Sequence, residues 1–337
     1  MASARIERIL RLYPDDCQPQ SIAPFQSPES FSGASLWRVE TARGPLALRC
    51  WPTEHPKLER LEFIQAVLWH VDQEGFHRVP VPVETEHKHG YVRHDGHLWE
   101  LVPWLPGEPT YRKSPSPRKL ENALLALAEF HRAAASFPLP ETGPIRSPGL
   151  SERARKLKQL LTGGLASLEA AVGEEDTDDS LWPELAPRAR RLIALATQTG
   201  PKIQPTLEIA ASLAVSIQPC IRDVWHAHVL YTGDKVSGLV DFGAMRAENV
   251  TSDVARLLGS LAGNSLDDWH TGLAAYQAGR PLSSDERALL AAFDKSAVVM
   301  GGLQWLEWIY VERRQFANQA AVMARIDEFL ARLELIR

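Results

Sequence analysis

The chain has 337 residues, 45% apolar and 23% charged, the composition of a water-soluble globular protein with room for one large domain or two lobes. A formal net charge of −5 provides no overall basic field, so we expect neither nucleic acid nor a membrane as a partner. Three widely spaced cysteines argue against a disulfide framework or a zinc cluster. The first residues lack the apolar segment of a signal peptide, and no apolar run is long enough to span a bilayer. These features predict a cytoplasmic protein.

Strand patterns dominate the first third of the chain. Residues 36–41 and 46–51 flank a glycine-containing turn and predict a β-hairpin. Within residues 58–75, apolar side chains recur at three- and four-residue spacing, which predicts one amphipathic helix. Residues 91–93 and 97–102 flank an Asp-Gly pair and predict a second hairpin. This region is therefore expected to form a small antiparallel sheet with one long helix.

The segment Pro103–Gly107 separates this region from the rest of the chain. Its two prolines prevent it from continuing as a helix or a central strand, so we interpret it as a hinge. Helical periodicity follows, over roughly residues 120–131, 150–172, 183–198, 205–216, 252–262, 266–278, 284–299 and 301–335. Strands do not alternate with helices throughout, which argues against a single α/β sheet. The sequence predicts an α+β protein with a sheet-containing N-terminal lobe, residues 1–103, and a mainly helical C-terminal lobe, residues 104–337.

The most specific motif is a pair of aspartates separated by a short apolar strand. Asp223 lies in a turn before the strand, a hairpin-type turn follows at Thr232–Lys235, and Asp241 opens an Asp-Phe-Gly. This tripeptide is common by chance, but its place after the apolar strand makes it informative. Kinase-like phosphotransferases bring a base and a metal ligand into one cleft by such an arrangement.

Two segments of the first lobe accompany this motif in the expected order. Leu46–Arg49 matches the kinase strand pattern Val-Ala-Ile-Lys with arginine in place of lysine, and residues 98–107 end in Pro-Gly. Together with the aspartates they resemble the aminoglycoside phosphotransferase and choline kinase family, over about residues 22–315. The resemblance implies a bilobal protein kinase-like fold with ATP in the cleft. It also implies a small-molecule acceptor whose hydroxyl receives the γ-phosphoryl group.

The resemblance assigns roles to the charged residues of these motifs. Asp223 would accept the proton of the acceptor hydroxyl, and Asp241 would hold Mg²⁺ on the nucleotide phosphates. Arg49 would bind the phosphates, because a guanidinium fork matches phosphate oxygens. Glu62, with Glu59 as the alternative, would be the helix glutamate that pairs with this cation.

Backbone and small side chains would complete the nucleotide site. A small residue in the strand leaves room for an adenine ring, a loop before the first hairpin would cover the phosphates, and the hinge backbone would pair with the adenine edge. These positions are Ala47, Gly33, Ser35, Leu101, Val102 and Trp104.

The catalytic loop departs from the family pattern, His-Gly-Asp-x-His-x-x-Asn. Ile221 and Arg222 precede the aspartate, Trp225 replaces the second histidine, and His228 replaces the asparagine. Arg222 resembles the arginine of the protein-kinase His-Arg-Asp loop. The family also has an aspartate that braces this loop at the start of the next helix, and here that position is Asp253.

The replacement of asparagine by His228 leaves three interpretations open. It is a metal ligand with altered preference, because imidazole nitrogen suits Mn²⁺ better than Mg²⁺; or it donates a hydrogen bond to phosphate; or it marks a degenerate site. The last case would make the protein a pseudokinase that binds nucleotide without transfer. A metal-dependent hydrolase built on His226 and His228 is a further alternative, since alternate residues of a strand face the same way. The sequence determines neither the acceptor nor the oligomeric state.

Overall fold

The computed structural model describes residues 2–25, 33–140, 143–175, 182, 184–316 and 318–336. The N-terminal part contains a five-stranded sheet in the order β1-β2-β3-β5-β4, in which all neighbouring strands are antiparallel. The strands are β1 Pro19–Phe25, β2 Ser35–Thr41, β3 Gly44–Cys50, β4 Val92–His94 and β5 His97–Pro103.

Strand β1 is the element of this sheet that the sequence patterns did not predict. Its two prolines, Pro19 and Pro24, lower its strand signal. They are tolerated because β1 lies at the edge of the sheet, where one side of the strand makes no ladder hydrogen bonds.

Two helices accompany the sheet. Helix α1, Ala2–Leu10, buries Ile6, Ile9 and Leu10 in the small core of the N-terminal sheet. Helix α2, Leu58–Gln73, is the long helix that the periodicity predicts, and its buried face joins the large core of the helical region. The sheet thus has its own core, while α2 ties it to the second lobe.

The remainder is mainly helical, with three two-stranded antiparallel sheets, β6–β7, β8–β11 and β9–β10. The elements are α3 Pro117–Ala134, β6 Ile145–Arg146, α4 Pro148–Gln159, α5 Leu165–Glu175, α6 Leu185–Ser212, β7 Ala214–Val215, β8 Gln218–Cys220, β9 Val229–Thr232, β10 Lys235–Leu239, β11 Arg246–Glu248, α7 Thr251–Leu261, α8 Leu266–Gly279, α9 Ser284–Leu306 and α10 Gln319–Leu335. The expected α+β class, an antiparallel sheet followed by a helical lobe, is confirmed.

Helix boundaries differ from the sequence prediction in three places. The patterns at 284–299 and 301–335 correspond to α9, Ser284–Leu306, and α10, Gln319–Leu335, so the break lies after Leu306 and not at residue 300. The patterns at 183–198 and 205–216 belong to the single helix α6, which contains Pro201 and Pro205. Each proline removes one helical hydrogen bond, but buried residues on both sides of the prolines pack against the core and keep the helix continuous. The pattern at 150–172 is instead divided between α4 and α5 at Gly163, whose φ of 156° is not helical.

The segment predicted as a hinge ends against the β9–β10 hairpin. Gly107 has φ +93°, and a Cβ there would lie 2.7 Å from the Tyr231 carbonyl oxygen, so only glycine fits. Glu108 and Tyr231 exchange backbone hydrogen bonds of 3.1 and 2.9 Å. The connection between the two regions is therefore attached directly to β9. Within the described part of the chain, no helix is long and apolar enough to cross a membrane.

Close packing of α9 against α10 gives a stability prediction. A Cβ on Gly301 would collide with the Phe329 ring of α10. Gly301→Ala should therefore lower the free energy of unfolding by about 1–3 kcal/mol, the usual cost of overpacking. Gly173→Ala is the matched control: that α5 glycine has nothing within 4 Å of its added Cβ, and the substitution should stabilise by about 0.5–1 kcal/mol. Urea denaturation measures both, and equal stability of wild type and Gly301→Ala would contradict this packing.

Candidate active site

Strand β3 and the Asp-Phe-Gly loop meet through an ion pair. The Nη1 of Arg49 lies 3.6 Å from Oδ1 of Asp241, and the arginine side chain is largely buried. The guanidinium carbon lies 4.6 Å from the centroid of the Trp51 ring, so the aromatic face holds the cation in place. The cation of the first lobe and the carboxylate of the second lobe therefore share one site, as their order in the sequence predicts.

The second anionic partner of Arg49 is a residue that sequence reasoning missed. Glu100 lies 3.9 Å away and is directly opposite Arg49 on the neighbouring strand β5. Burial raises the pKa of Glu100, while Arg49 and a 3.2 Å hydrogen bond from Gln65 Nε2 act against that rise. Cross-strand pairing of an arginine with a glutamate was the signal that could have identified it.

Glu62, the predicted helix partner of Arg49, lies elsewhere. It is exposed on α2 and accepts a 3.0 Å hydrogen bond from the Tyr91 hydroxyl. Glu59, the alternative, is also exposed. The predicted Arg49–Glu62 pair is wrong, because α2 directs the buried Gln65 toward the sheet and leaves its glutamates on the outer face.

Asp241 has the properties of a cation ligand. Its φ of +62° is unusual for a non-glycine residue. The backbone at Asp241 therefore no longer has the extended conformation of strand β10. Burial by itself raises the pKa of Asp241, but Arg49 and the backbone N–H of Gly243 outweigh it and hold the pKa below its usual value. The side chain remains 35% exposed, so an ionised oxygen ligand faces the cleft.

The loop before Asp223 is fixed by a buried carboxylate. Asp253, at the start of α7, accepts hydrogen bonds from the backbone N–H groups of Ile221 and Arg222, at 2.7 and 2.6 Å. His131 Nε2 lies 3.1 Å from the same carboxylate. Arg222 has φ +67°, and its guanidinium forms no ion pair with any residue in the described ranges. Asp253 thus lies where the sequence placed the bracing aspartate.

Asp223 is half-exposed and bound on one oxygen. Arg256, one turn after Asp253 on α7, donates to Oδ1 from Nε at 3.1 Å and from Nη2 at 2.7 Å. Among the residues that the structure describes, none hydrogen-bonds to Oδ2. The carboxylate is therefore held in one orientation with its second oxygen open to a ligand. Sequence reasoning did not assign Arg256, although its helical spacing from Asp253 could have indicated it.

Two of the departures from the family loop bond to each other. Trp225 Nε1 donates to His228 Nε2 at 2.8 Å, and His228 Nδ1 lies 2.8 Å from the carbonyl oxygen of Asp223. An indole N–H only donates and a carbonyl only accepts, so the ring is neutral with its proton on Nδ1. His228 Nε2 also lies 3.6 Å from Asp241 Oδ2, which places this ring between the two aspartates.

The histidine pair proposed for a hydrolase does not converge. His226 and His228 lie in a short 3₁₀ turn, where the side-chain alternation of a strand does not apply. His226 Nδ1 contacts Ser260 Oγ at 2.9 Å, away from the Asp223 carbonyl that His228 contacts. Burial, together with repulsion from Arg112 and Arg325, lowers the pKa of His226 to about 3. The alternative of a hydrolase built on a His226–His228 metal pair is therefore not supported.

One buried cluster has the composition of a metal site. Potential ligand atoms of His131, Cys220 and Asp253 lie within 4.8 Å of one another. His131 is bonded to Asp253 and, at 2.7 Å, to the Tyr276 hydroxyl, while the Cys220 thiol donates to the Glu248 carbonyl at 3.2 Å. Burial raises the pKa of Cys220 well above its usual value, which opposes the thiolate that a metal requires. These contacts indicate a structural hydrogen-bond network.

The remaining predicted nucleotide positions lie along the sheet. Ala47 pairs with Val102 across β3 and β5. Leu101 is buried in the core of the sheet and its carbonyl accepts from Val83, whereas Trp104 N–H donates to Pro45. These two hinge groups are bonded within the protein, so adenine pairing through them is not supported.

The predicted phosphate-covering loop is described only in part. Gly33 has φ +71°, Ser35 begins β2 and is exposed, and Ser32 lies outside the described residues.

Comparison with known proteins identifies the family of proteins to which this chain belongs. A sheet lobe with its cation, a helical lobe with two aspartates and a hinge between them define a kinase-like phosphotransferase fold. The model of the phosphotransferase enzyme family matches residues 28–291, and the chain belongs to this family of small-molecule phosphotransferases.

Individual relatives support the same class. The chain is 27% identical over 258 residues to a homoserine kinase from Methylobacterium radiotolerans, a match that covers 74% of this chain and 70% of that protein. An aminoglycoside phosphotransferase from Alicyclobacillus acidocaldarius is similar in structure, with a TM-score of 0.65, 16% identity and coverage of 98% and 94% of the two chains. An amicoumacin kinase in complex with AMP-PNP, Ca²⁺ and Ami gives a TM-score of 0.65 at 11% identity, covering 98% of this chain and 93% of the other.

The Asp253 network gives a second prediction. Asp253→Ala leaves two buried backbone N–H groups without acceptors, so the free energy of unfolding should fall by about 2–5 kcal/mol. Asp267→Ala, which removes an exposed aspartate at the start of α8, should change it by less than about 0.5 kcal/mol. Chemical denaturation of both variants provides the measurement. Equal effects would show that Asp253 does not hold the loop.

Proposed function

We propose that the protein transfers the γ-phosphoryl group of ATP to a hydroxyl of a small molecule. One observation carries this proposal. The His228 ring lies between the Asp223 loop and Asp241, with contacts of 2.8 and 3.6 Å, and Arg49 reaches Asp241 from the opposite lobe at 3.6 Å. The residues that we propose as base, metal ligand and phosphate-binding cation thus lie in one region, and phosphoryl transfer requires such groups to be positioned together.

The chemistry of the donor set suits a hard divalent cation and a nucleotide. Asp241 presents carboxylate oxygen, and Mg²⁺ in nucleotide sites is commonly held by one or two carboxylates plus phosphate oxygens. A bound Mg²⁺ would neutralise negative charge on the phosphates. Arg49 lies beside the same position and would bind the phosphate oxygens from the sheet side. We assign residues up to 103 to the lobe that covers the nucleotide.

Asp223 would act on the acceptor. Its open Oδ2 accepts the proton of the acceptor hydroxyl as that oxygen bonds to the γ-phosphorus and the bond between this phosphorus and the β,γ-bridging oxygen breaks. ADP leaves with the bond electrons, and Asp223 then returns its proton to solvent. Arg256 fixes the carboxylate during this step through its two bonds to Oδ1.

The role of His228 follows from its present bonds. A metal bound at Nε2 would have to displace the Trp225 N–H, because that nitrogen has one lone pair. In the arrangement observed, the ring supports the Asp223 carbonyl and closes the space beside Asp241. We therefore propose positioning of the two aspartates as its first role, with metal coordination as the alternative.

A nucleotide-binding pseudokinase is the second candidate. The observation that favours it is that hydrogen bonds within the protein already occupy two acceptor atoms of the site. Arg256 donates to Asp223 Oδ1, and Trp225 donates to Nε2 of His228, the residue that replaces asparagine. Among the relatives, acceptors as different as homoserine, aminoglycosides and amicoumacin are named, so membership of the family leaves the acceptor open.

The function is tested by separating binding from transfer. With ATP and Mg²⁺, wild type should show a raised melting temperature, because a ligand of the folded state stabilises it by mass action. Asp241→Asn should abolish the metal-dependent part of this shift. Asp223→Asn should keep the shift but lower transfer to a hydroxyl-acceptor panel by about 10²–10⁴-fold, the range for a lost acid–base group. Asp267→Asn is the surface control.

The possible outcomes discriminate between the candidates. A nucleotide shift without transfer to any acceptor would support the pseudokinase. Absence of a shift at millimolar nucleotide would refute nucleotide binding altogether.

His228 gives a further prediction. If the ring only positions the aspartates, Trp225→Phe should reduce kcat and leave the ratio of Mg²⁺- to Mn²⁺-supported rates unchanged. If Nε2 binds the metal, removing the indole N–H should raise the Mn²⁺-supported rate relative to Mg²⁺, since imidazole nitrogen favours the softer ion. His228→Asn, which restores the family residue, should in that case shift the preference to Mg²⁺. The rate ratio of the two ions in each variant is the measurement.

A further inference from the structure

Two arginines flank the aromatic ring next to Asp223. The guanidinium carbon of Arg256 lies 6.0 Å from the centroid of Trp225, and that of Arg325, from α10, lies 5.3 Å from it. Arg325 also packs over Phe329, at 4.7 Å. The C-terminal helix thus brings a second cation to the ring of Trp225, two residues after Asp223 in the chain.

Positive charge exceeds negative charge around this position. Arg325 and Arg112 both form ion pairs with the same carboxylate, Glu328. Burial and repulsion from Arg256 lower the pKa of Arg325 to about 10, despite the opposing effect of Glu328.

A further guanidinium, to which no carboxylate of the described residues is hydrogen-bonded, belongs to Arg153 of α4. Arg153 is hydrogen-bonded to neutral groups, the Phe293 carbonyl at 2.7 Å and Ser296 Oγ at 2.9 Å. Burial and repulsion from Arg222 and Arg256 lower its pKa to about 10.

Part of the donor capacity of these arginines is unused. Within the described ranges, Arg256 Nη1 makes no hydrogen bond, and Arg325 bonds only through Nη1. Both side chains are mostly buried, with 27% and 13% exposure. None of these unused donor atoms is fully buried, so they remain open to a ligand, and anionic oxygen is the acceptor that guanidinium groups bind most strongly.

We propose that the phosphoryl acceptor carries an anionic group in addition to its hydroxyl, and that Arg256 and Arg325 bind this group beside Trp225. This proposal rests on the proposed function, of which it specifies the substrate class. The anionic group would anchor the molecule between the two arginines and present its hydroxyl to Asp223 Oδ2. The same charges would repel polycationic acceptors. A carboxylate and a phosphate ester share the required chemistry.

The first test compares acceptors that differ in the presence of one anionic group. Wild type with ATP and Mg²⁺ is assayed with homoserine against homoserine amide, with glycerol phosphate against glycerol, and with a polycationic aminoglycoside. For at least one pair, kcat/KM of the compound with the anionic group should be about 10-fold or more above that of its neutral counterpart. This is a modest effect for one charge-assisted contact. The preferred pair identifies the group as carboxylate or phosphate. Equal kcat/KM within each pair, or preference for the aminoglycoside, would overturn the proposal while leaving phosphotransfer intact.

The second test locates the contact. Arg325→Gln should raise KM for the anionic acceptor by about 10- to 100-fold, the range for a lost charge-assisted hydrogen bond, and should leave KM for the neutral counterpart and nucleotide binding unchanged. In Arg325→Gln, Glu328 keeps its ion pair with Arg112, so this variant does not leave the carboxylate unpaired. The double variant Arg325→Gln, Glu328→Gln keeps the net charge of wild type, and it should show the same split. Arg191→Gln is the control, because it removes an exposed arginine that pairs with Glu334, also on α10.

Calorimetry gives a readout that does not depend on turnover. In the presence of a non-hydrolysable ATP analogue, the anionic compound should bind wild type and bind Arg325→Gln at least 10-fold more weakly. This result would support the anion subsite even if no acceptor is phosphorylated, in which case only the transfer activity fails. Equal affinity of the two proteins would refute the subsite.

Discussion

A carboxylate with no exposure to water is stable only where hydrogen-bond donors surround it, and the loop that carries Asp223 is built around this requirement. Asp253 finds its donors in the backbone N–H groups of Ile221 and Arg222 and in His131. The two amides point at one carboxylate only because Arg222 adopts a left-handed conformation. A buried carboxylate on a different element therefore sets the direction in which the backbone enters Asp223. Helix α7 supplies both this carboxylate, Asp253, and the arginine that orients Asp223, Arg256.

The unusual residues of the loop explain one another. An asparagine side chain at position 228 would not require the indole N–H of Trp225 as a hydrogen-bond donor. A histidine at position 225 would not place an N–H donor where the indole places one. As found, the tryptophan donates to His228 Nε2 and the histidine supports the Asp223 carbonyl. The His228 ring thereby joins the Asp223 loop and lies 3.6 Å from the Asp241 carboxylate. A loop that looks degenerate when each position is compared separately is thus internally consistent in its hydrogen bonding.

Charge is distributed unevenly across the cleft. Beside strand β3, one arginine, Arg49, lies between the carboxylates of Asp241 and Glu100. Around Asp223 and Glu328, in contrast, three guanidinium groups form ion pairs with two carboxylates. A divalent cation and an anionic acceptor are the ligands that would balance the two sides. This is the electrostatic reason for linking the proposed function to a specific class of acceptor.

The sequence by itself determined the class of the fold and the order of the chemical groups. Period-two and period-3.6 patterns are local, so the hairpins, the helix α2 and the helical second lobe could be predicted from them. The segments carrying Arg49, Asp223, Asp241 and Asp253 could be identified because each has its own short motif.

Tertiary structure alone decided which side chains meet. Glu100 replaces Glu62 beside Arg49 because strand register, not helix spacing, sets that contact. The His226–His228 pair separates because a 3₁₀ turn replaces the expected strand. Arg325 reaches the ring of Trp225 from a helix about a hundred positions later in the chain, and no local pattern records a contact of that range. Contacts of this kind arise from the packing of distant elements, and packing is the property that a one-dimensional pattern does not contain.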